Sequence, residues 1–207
     1  MALAKFLIAV VSMAMVAAGF HHSTETSCDF SGVDVESAIS QMLAKFPKEH
    51  MTVPILPRPN LPGMKLFDLA MSGIHHLRRY GAVIPFCVNG TRMIQVDLMS
   101  EGDIYFSIPW KTCTGKRGSF RLRPMLTRFT TVFRLEATDF GEEIRLAYEG
   151  PTLPVSTEEL RFSVEDLGFT GRLFSEYLSL AFPAVFKKLW NVQFAYYFDL
   201  AVTHALG

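Results

Sequence analysis

Between residues 66 and 165 apolar and polar side chains alternate in a succession of short blocks. Phe67, Leu69 and Met71 alternate with smaller or polar neighbours, and Ile74 with Leu77 continues that face beyond Gly73. Ile94, Val96 and Leu98 alternate with Gln95 and Asp97, and Ile104, Phe106 and Ile108 with Tyr105 and Ser107. Phe120 and Leu122 are interleaved with Arg121 and Arg123, and Phe133 and Leu135 with Arg134 and Glu136. Beyond a turn at residues 139–141 come Ile144, Leu146 and Tyr148 against Arg145 and Glu149, then Leu160, Phe162 and Val164 against Arg161, Ser163 and Glu165. A period of two predicts strands that are dry on one face and wet on the other. The short connections predict an antiparallel meander.

The ends of the chain follow a helical period. Residues 31–34, Ser-Gly-Val-Asp, have the form of a capping box, and Val35, Ile39, Met42, Leu43 and Phe46 then share one face until Pro47. Four prolines (Pro54, Pro57, Pro59, Pro62) make the connection that follows extended and stiff. At the other end, 173–206 reads as one long helix with apolar positions at Leu173, Tyr177, Leu178, Ala181, Phe182, Val185, Phe186, Leu189, Trp190, Phe194, Tyr197, Phe198 and Ala201. That stripe is wider than a surface helix needs, so it predicts enclosure over much of the girth. Lys187, Lys188, Asn191, Gln193 and Asp199 interrupt the run of about 20 apolar residues that a bilayer span requires. Pro183 predicts a kink. The expected fold is α+β: a long, strongly twisted antiparallel sheet wrapped around the C-terminal helix as a half-barrel, with the shorter N-terminal helix on the open side.

This order of helix, meander and long helix resembles the tubular lipid-binding superfamily. Its members include bactericidal/permeability-increasing and lipopolysaccharide-binding proteins, insect juvenile-hormone carriers and takeout proteins, and mite group 7 allergens. The stretches that carry the likeness are Met64-Lys65-Leu66-Phe67-Asp68-Leu69, Ile74-His75-His76-Leu77-Arg78-Arg79-Tyr80-Gly81 and Asp166-Leu167-Gly168-Phe169. Texture and single-domain length are nearest to the mite group, from which the three cysteines and the Pro-rich bridge depart. The resemblance implies a curved apolar tube that binds a lipid or another apolar small molecule between sheet and helix. The dry faces name its lining as Ile94, Val96, Phe106, Ile108, Phe133, Leu135, Leu146, Tyr148, Phe162, Phe182, Phe186 and Trp190. Tyr148 and Trp190 stand out because each polar tip needs a partner when buried.

Composition adjusts this picture in a few places. The 207 residues suit one domain, and 20 acidic against 20 basic residues argue against a nucleic-acid binder. Eighteen phenylalanines exceed the needs of a small core. Lys5 followed by the apolar run 6–16 and by Ala17-Ala18-Gly19 predicts a secretory leader over 1–19, a mature domain over 20–207 and an extracellular location. Oxidised cysteines are then allowed. Cys87 and Cys113 flank an apparent hairpin that turns at Ser100–Asp103, which predicts their pairing and leaves Cys28 over. Pairing of Cys28 with either of the others stays open at the level of sequence. Asn89-Gly90-Thr91 is an N-glycosylation sequon on an expected turn.

Candidate chemistry is sparse. His75-His76, read as strand neighbours, would point to opposite faces and could not share an ion, so no metal is expected. Neither a nucleophile elbow nor a phosphate-binding glycine loop occurs, and no cofactor or enzymatic activity is expected. Lys111, Lys116, Arg117, Arg121, Arg123, Arg128 and Arg134 follow one another without an intervening carboxylate. Beyond a solvated face, they define a basic patch suited to anionic lipid head groups, lipopolysaccharide or sulfated polysaccharide. The first expectation is thus a secreted, non-enzymatic carrier or scavenger of an apolar ligand. The alternatives are a host-facing recognition protein acting through the basic patch, and an interaction module whose tube is filled by its own side chains.

Overall fold

The computed structural model of the protein describes residues 29–54, 61–137, 144–166 and 168–207. The expected leader over 1–19, Cys28, the expected turn at 139–141 and Pro57 and Pro59 fall outside these residues. Among the described residues the alternating blocks become twelve strands. These are β1 (Met51–Val53), β2 (Met64–Leu66), β3 (Leu69–Ser72), β4 (Arg78–Arg79), β5 (Ile84–Val88) and β6 (Thr91–Ser100). They continue as β7 (Tyr105–Thr112), β8 (Arg117–Arg123), β9 (Leu126–Ala137), β10 (Ile144–Tyr148), β11 (Leu153–Glu158) and β12 (Arg161–Val164). Three helices accompany them: α1 (Val35–Ala44), α2 (Gly168–Ala181) and α3 (Pro183–Leu206). The architecture is α+β, a curled antiparallel half-barrel around the long C-terminal helix, with the shorter N-terminal helix against it.

The ribbon is hydrogen-bonded as two six-stranded sheets. One runs β1-β3-β7-β8-β12, with β2 also on β7; the other runs β10-β9-β6-β4, with β11 on β9 and β5 on β6. The expected β6–β7 hairpin does not form. At Ser100–Ile104 the chain leaves one sheet and enters the other, so β6 pairs with β9 while β7 pairs with β8. Counting outward from that corner therefore fails to bring Cys87 and Cys113 together. Cys113 is a free, exposed thiol in the β7–β8 turn, so it is not the partner of Cys87 of β5, which is disulfide-bonded. The β5–β6 turn does form as its Asn-Gly pair predicts. Asn89 and Gly90 both take positive φ (49° and 78°), the backbone a two-residue hairpin requires.

α1 starts later than the capping-box reading places it. Asp34 is the cap, its Oδ1 accepting from the Ser37 backbone N–H at 3.0 Å. Ser31 instead donates to Asp29 in a turn of its own. Ile39, Met42 and Phe46 are buried, and the Phe46 ring meets Phe198 of α3 edge-on at 6.0 Å. Arg79 of β4 fastens the outer side of α1 through Glu36, with nitrogen–oxygen distances of 2.7 and 3.2 Å. α1 thus closes the half-barrel over the C-terminal half of α3.

The main core surrounds that half of α3. Trp190, Phe194, Tyr197, Phe198, Ala201, Val202 and Ala205 point inward against Ile94, Val96, Leu98, Phe106, Phe129 and Phe133. Fully burying each large side chain contributes roughly 1.5–3 kcal/mol, so this seam dominates the stability of the fold. Two polar tips enter it satisfied. Trp190 Nε1 donates to Thr127 Oγ1 at 3.3 Å, and the Tyr197 hydroxyl donates to the Leu69 carbonyl at 2.6 Å. A smaller core lies at the other end of the first sheet, where Trp110 packs with Leu66 and Val164. Gly118 makes room for it: a Cβ there would sit 2.3 Å from the Trp110 ring and 2.4 Å from the Glu165 carbonyl.

The sequence reading of one enclosed helix needs correction. Phe182 leaves helical backbone (φ −129°, ψ 44°) and Pro183 opens a new helix, so the segment is two helices. Nor is it sheathed throughout. α2 rests on β12 by Gly171, Ser175 and Ser179, whose Oγ bonds both to the Phe162 backbone and to the Ser175 carbonyl. Its large side chains, Phe169, Leu173, Phe174, Tyr177 and Leu180, are 50–83% exposed.

Candidate functional site

A cavity of about 90 Å³ lies where the main and the smaller core fail to meet. Strand alternation puts Phe106 and Ile108 of β7, Phe120 and Leu122 of β8 and Phe162 of β12 on one inner face. α3 roofs it with Phe186, Leu189 and Gln193, and Leu69 of β3 completes the wall. Three of these rings form a ladder. Phe120 lies parallel to Phe162 (centroids 6.0 Å, 19° between planes), which lies parallel to Phe186 (4.9 Å, 12°). Arg121 also borders the cavity, but the same alternation turns its side chain to the opposite face with Ser107 and Ser163. There its guanidinium pairs with Glu165 at 2.6 Å. Gln193 is therefore the one polar side chain that the roof offers to a ligand. The walls are almost wholly apolar.

Of the side chains named from sequence, Phe106, Ile108, Phe162 and Phe186 meet around this cavity. Ile94, Val96, Phe133, Leu135 and Leu146 lie in the packed main core. Trp190 lies there too, its ring 5.0 Å from that of Phe106, one layer behind the wall. Tyr148 is half-buried against Phe133 and Phe198, with its hydroxyl 2.7 Å from Thr152 Oγ1. Phe182 is half exposed at the helix break and does not reach the cavity. Sequence reasoning missed Leu69, Phe120, Leu122, Leu189 and Gln193 as lining. Phe120 and Leu122 were readable from their alternation with Arg121 and Arg123. Which of the many dry-face positions border a gap was not.

The basic patch divides between the two sheets. Arg128 sits 3.9 Å from the Asp97 carboxylate and 3.9 Å above the Tyr80 ring, and Arg134 bonds both Glu136 and Glu149 at 2.8 and 2.9 Å. Arg123 donates to the Gly102 carbonyl. Arg121 is held by Glu165 as described. Among the described residues Lys111, Lys116 and Arg117 around the β7–β8 turn make no ion pair, and Arg123 has only the Gly102 carbonyl. Strand register adds one charge that sequence reasoning missed: Lys65 of β2 is directly opposite Lys111, and Lys111 is opposite Arg117. Like charges set across a sheet destabilise it, so this row of three is not explained by folding.

The two histidines are not strand neighbours. They form the 3-10 turn Ile74–His76, with ring centroids 4.0 Å apart. Burial, with the adjacent charges of His76 and Lys48, holds the His75 imidazole below its ordinary value, against a weaker opposing pull from Asp103. Burial likewise pushes the Tyr197 phenol up to about 12, so it remains a hydrogen-bond donor at every physiological pH. Asn89 is exposed at its hairpin tip, a position open to modification.

No family model matches the chain, and no curated protein sequence matches it. No helix among the described residues is long and apolar enough to cross a membrane.

Proposed function

We propose that the protein is a secreted, non-enzymatic carrier or scavenger that takes the apolar end of a lipid-like molecule into this cavity. It would be a lipid-binding tube of the kind its element order resembles. The observation that carries the reading is the ladder Phe120–Phe162–Phe186 facing Phe106 and Ile108 across a space with almost no polar wall. Such a space excludes water in favour of hydrocarbon, and each methylene transferred contributes about 0.8 kcal/mol. At about 90 Å³ the space is smaller than the several hundred cubic ångströms of a drug-sized pocket. It therefore holds a short stretch of chain, and the remainder of a ligand passes out beside Leu189, which is 46% exposed at the rim.

Mass spectrometry of organic extracts from natively purified protein, paired with calorimetric titration of fatty acids and terpenoids, tests the reading. We expect a co-purifying apolar molecule, saturable titration, and loss of both in Ile108→Trp, which fills the space. Folded protein that yields no extractable ligand and no saturable heat refutes it.

The row Lys65–Lys111–Arg117 favours a second reading, recognition of anionic head groups or lipopolysaccharide at the β7–β8 end. Its signature is steep salt dependence, since exposed charges are screened within about 10 Å at 0.1 M salt. Reversing all three to Glu should abolish binding to anionic vesicles at low salt while leaving fatty-acid titration intact. Vesicle binding that survives the reversal removes this reading and leaves the first untouched.

A further inference from the structure

The solvent side of α3 is patterned as if it were a core. Val185, Leu189, Val192, Tyr196 and Leu200 recur at intervals of four, three, four and four. At 100° per residue they fall on one narrow stripe, opposite the buried stripe of Trp190, Phe194, Tyr197 and Ala201. Each is 42–61% exposed, and the stripe carries no charge along its length. α2 adds an outward row, Leu173, Tyr177 and Leu180, exposed by 50%, 66% and 83%. Monomeric proteins rarely expose an apolar patch beyond roughly 300–600 Å².

We infer that the α3 stripe, without the α2 row, joins two copies of the chain through an antiparallel pairing of their α3 helices. The choice of a second copy rests on how the charges flank the stripe. Lys188 and Asp199 lie along the same edge of it, both are exposed, and neither makes an ion pair among the described residues. A two-fold axis at the level of Phe194 sets Val192 against Tyr196 of the other copy, twice. The same axis brings Lys188 of each copy within about one residue's rise, 1.5 Å, of the level of Asp199 of the other, on the same side. One helix thus supplies both members of a reciprocal pair, as a self-complementary surface must. A chain with 20 acidic and 20 basic residues also meets no net repulsion from its own copy. Leu189 belongs both to this stripe and to the cavity rim, so the part of a ligand that emerges there would lie along the seam between the two copies.

Sedimentation velocity of the mature chain across the micromolar range, with charge-exchange variants, tests the pairing. We expect a concentration-dependent dimer that Val192→Lys abolishes. Lys188→Asp and Asp199→Lys should each weaken it roughly 5–30-fold, and the double exchange should restore it, because both reciprocal pairs re-form with the signs swapped. All these positions are exposed, so circular dichroism should show unchanged folding. A chain that stays monomeric at every concentration overturns the inference. So does a dimer indifferent to the single exchanges, or one the double exchange fails to rescue. Flotation with neutral phosphatidylcholine vesicles addresses the rival occupant. A monomer that floats through the same Val192-sensitive face assigns the stripe to a lipid surface and ends the two-copy proposal.

Discussion

Along the second half of α3, Phe194, Tyr197, Phe198 and Ala201 enter the half-barrel and are 0–3% exposed. Along α2 the arrangement is reversed, with Gly171, Ser175 and Ser179 turned to the sheet and Phe169, Leu173, Tyr177 and Leu180 turned to water. Both segments have similar apolar content, so content does not decide which side is buried. The difference lies in the surface each meets. α3 spans a concave face lined by Phe106, Phe129 and Phe133, where large rings interlock. α2 crosses the edge strand β12, where only small side chains let a helix close on the backbone of Phe162.

That contrast can be broken by mutation. The largest effect should come from the sheathed half: Phe198→Ala removes a ring in contact with Phe46, Phe129, Phe194 and Tyr148, and should cost about 3–5 kcal/mol in urea unfolding. Gly118→Ala should follow, at roughly 1–3 kcal/mol or more, because its methyl would collide with Trp110 and with backbone. A near-neutral result would mean that the smaller core is loosely packed. Tyr197→Phe tests one tether of α3 to β3 and should cost about 1 kcal/mol.

The turn beside Ile74 gives the comparison a pH axis. Folding lowers the affinity of His75 for a proton, so the unfolded chain binds more protons just below the ordinary imidazole value. Stability should be complete above about pH 6.5 and decline as pH falls below it. His75→Asn should flatten that decline in melting curves taken from pH 7 to pH 5. The smallest effect belongs to the outward row. Leu180→Ser, at a residue 83% exposed, should change stability by less than about 0.5 kcal/mol. A loss of 2 kcal/mol or more there would show that α2 is covered in solution.

The half-barrel was legible because period-two blocks and a kinked apolar helix have few ways to bury one another, and α1 was legible from Val35, Ile39, Met42 and Phe46. The Asn89-Gly90 turn was legible because few other pairs accept two positive φ angles in succession. The cysteine pairing was not, since the polar run Ser100–Asp103 reads as a hairpin turn while the chain there passes from one sheet to the other. Nor was the orientation of α2. Its stripe of Gly171, Ser175 and Ser179 is the true contact face, but hydrophobic periodicity alone assigns contact to the larger residues opposite. At the cavity, periodicity identified Phe106, Ile108, Phe162 and Phe186 as inward-facing. Only three-dimensional packing separates those that border a gap from Ile94, Val96 or Phe133, which border one another.

The placement of the two indoles gives the protein a built-in optical gauge. Trp190 touches the wall ring Phe106, and Trp110 lies 6.3 Å from the wall ring Phe120, so the only two tryptophans flank the cavity from opposite sides. Both are 1% exposed, which sets a blue-shifted emission in the unloaded protein. A conjugated guest seated between them would draw excitation energy from both at once. An event confined to the outward helix face would leave that emission unaltered.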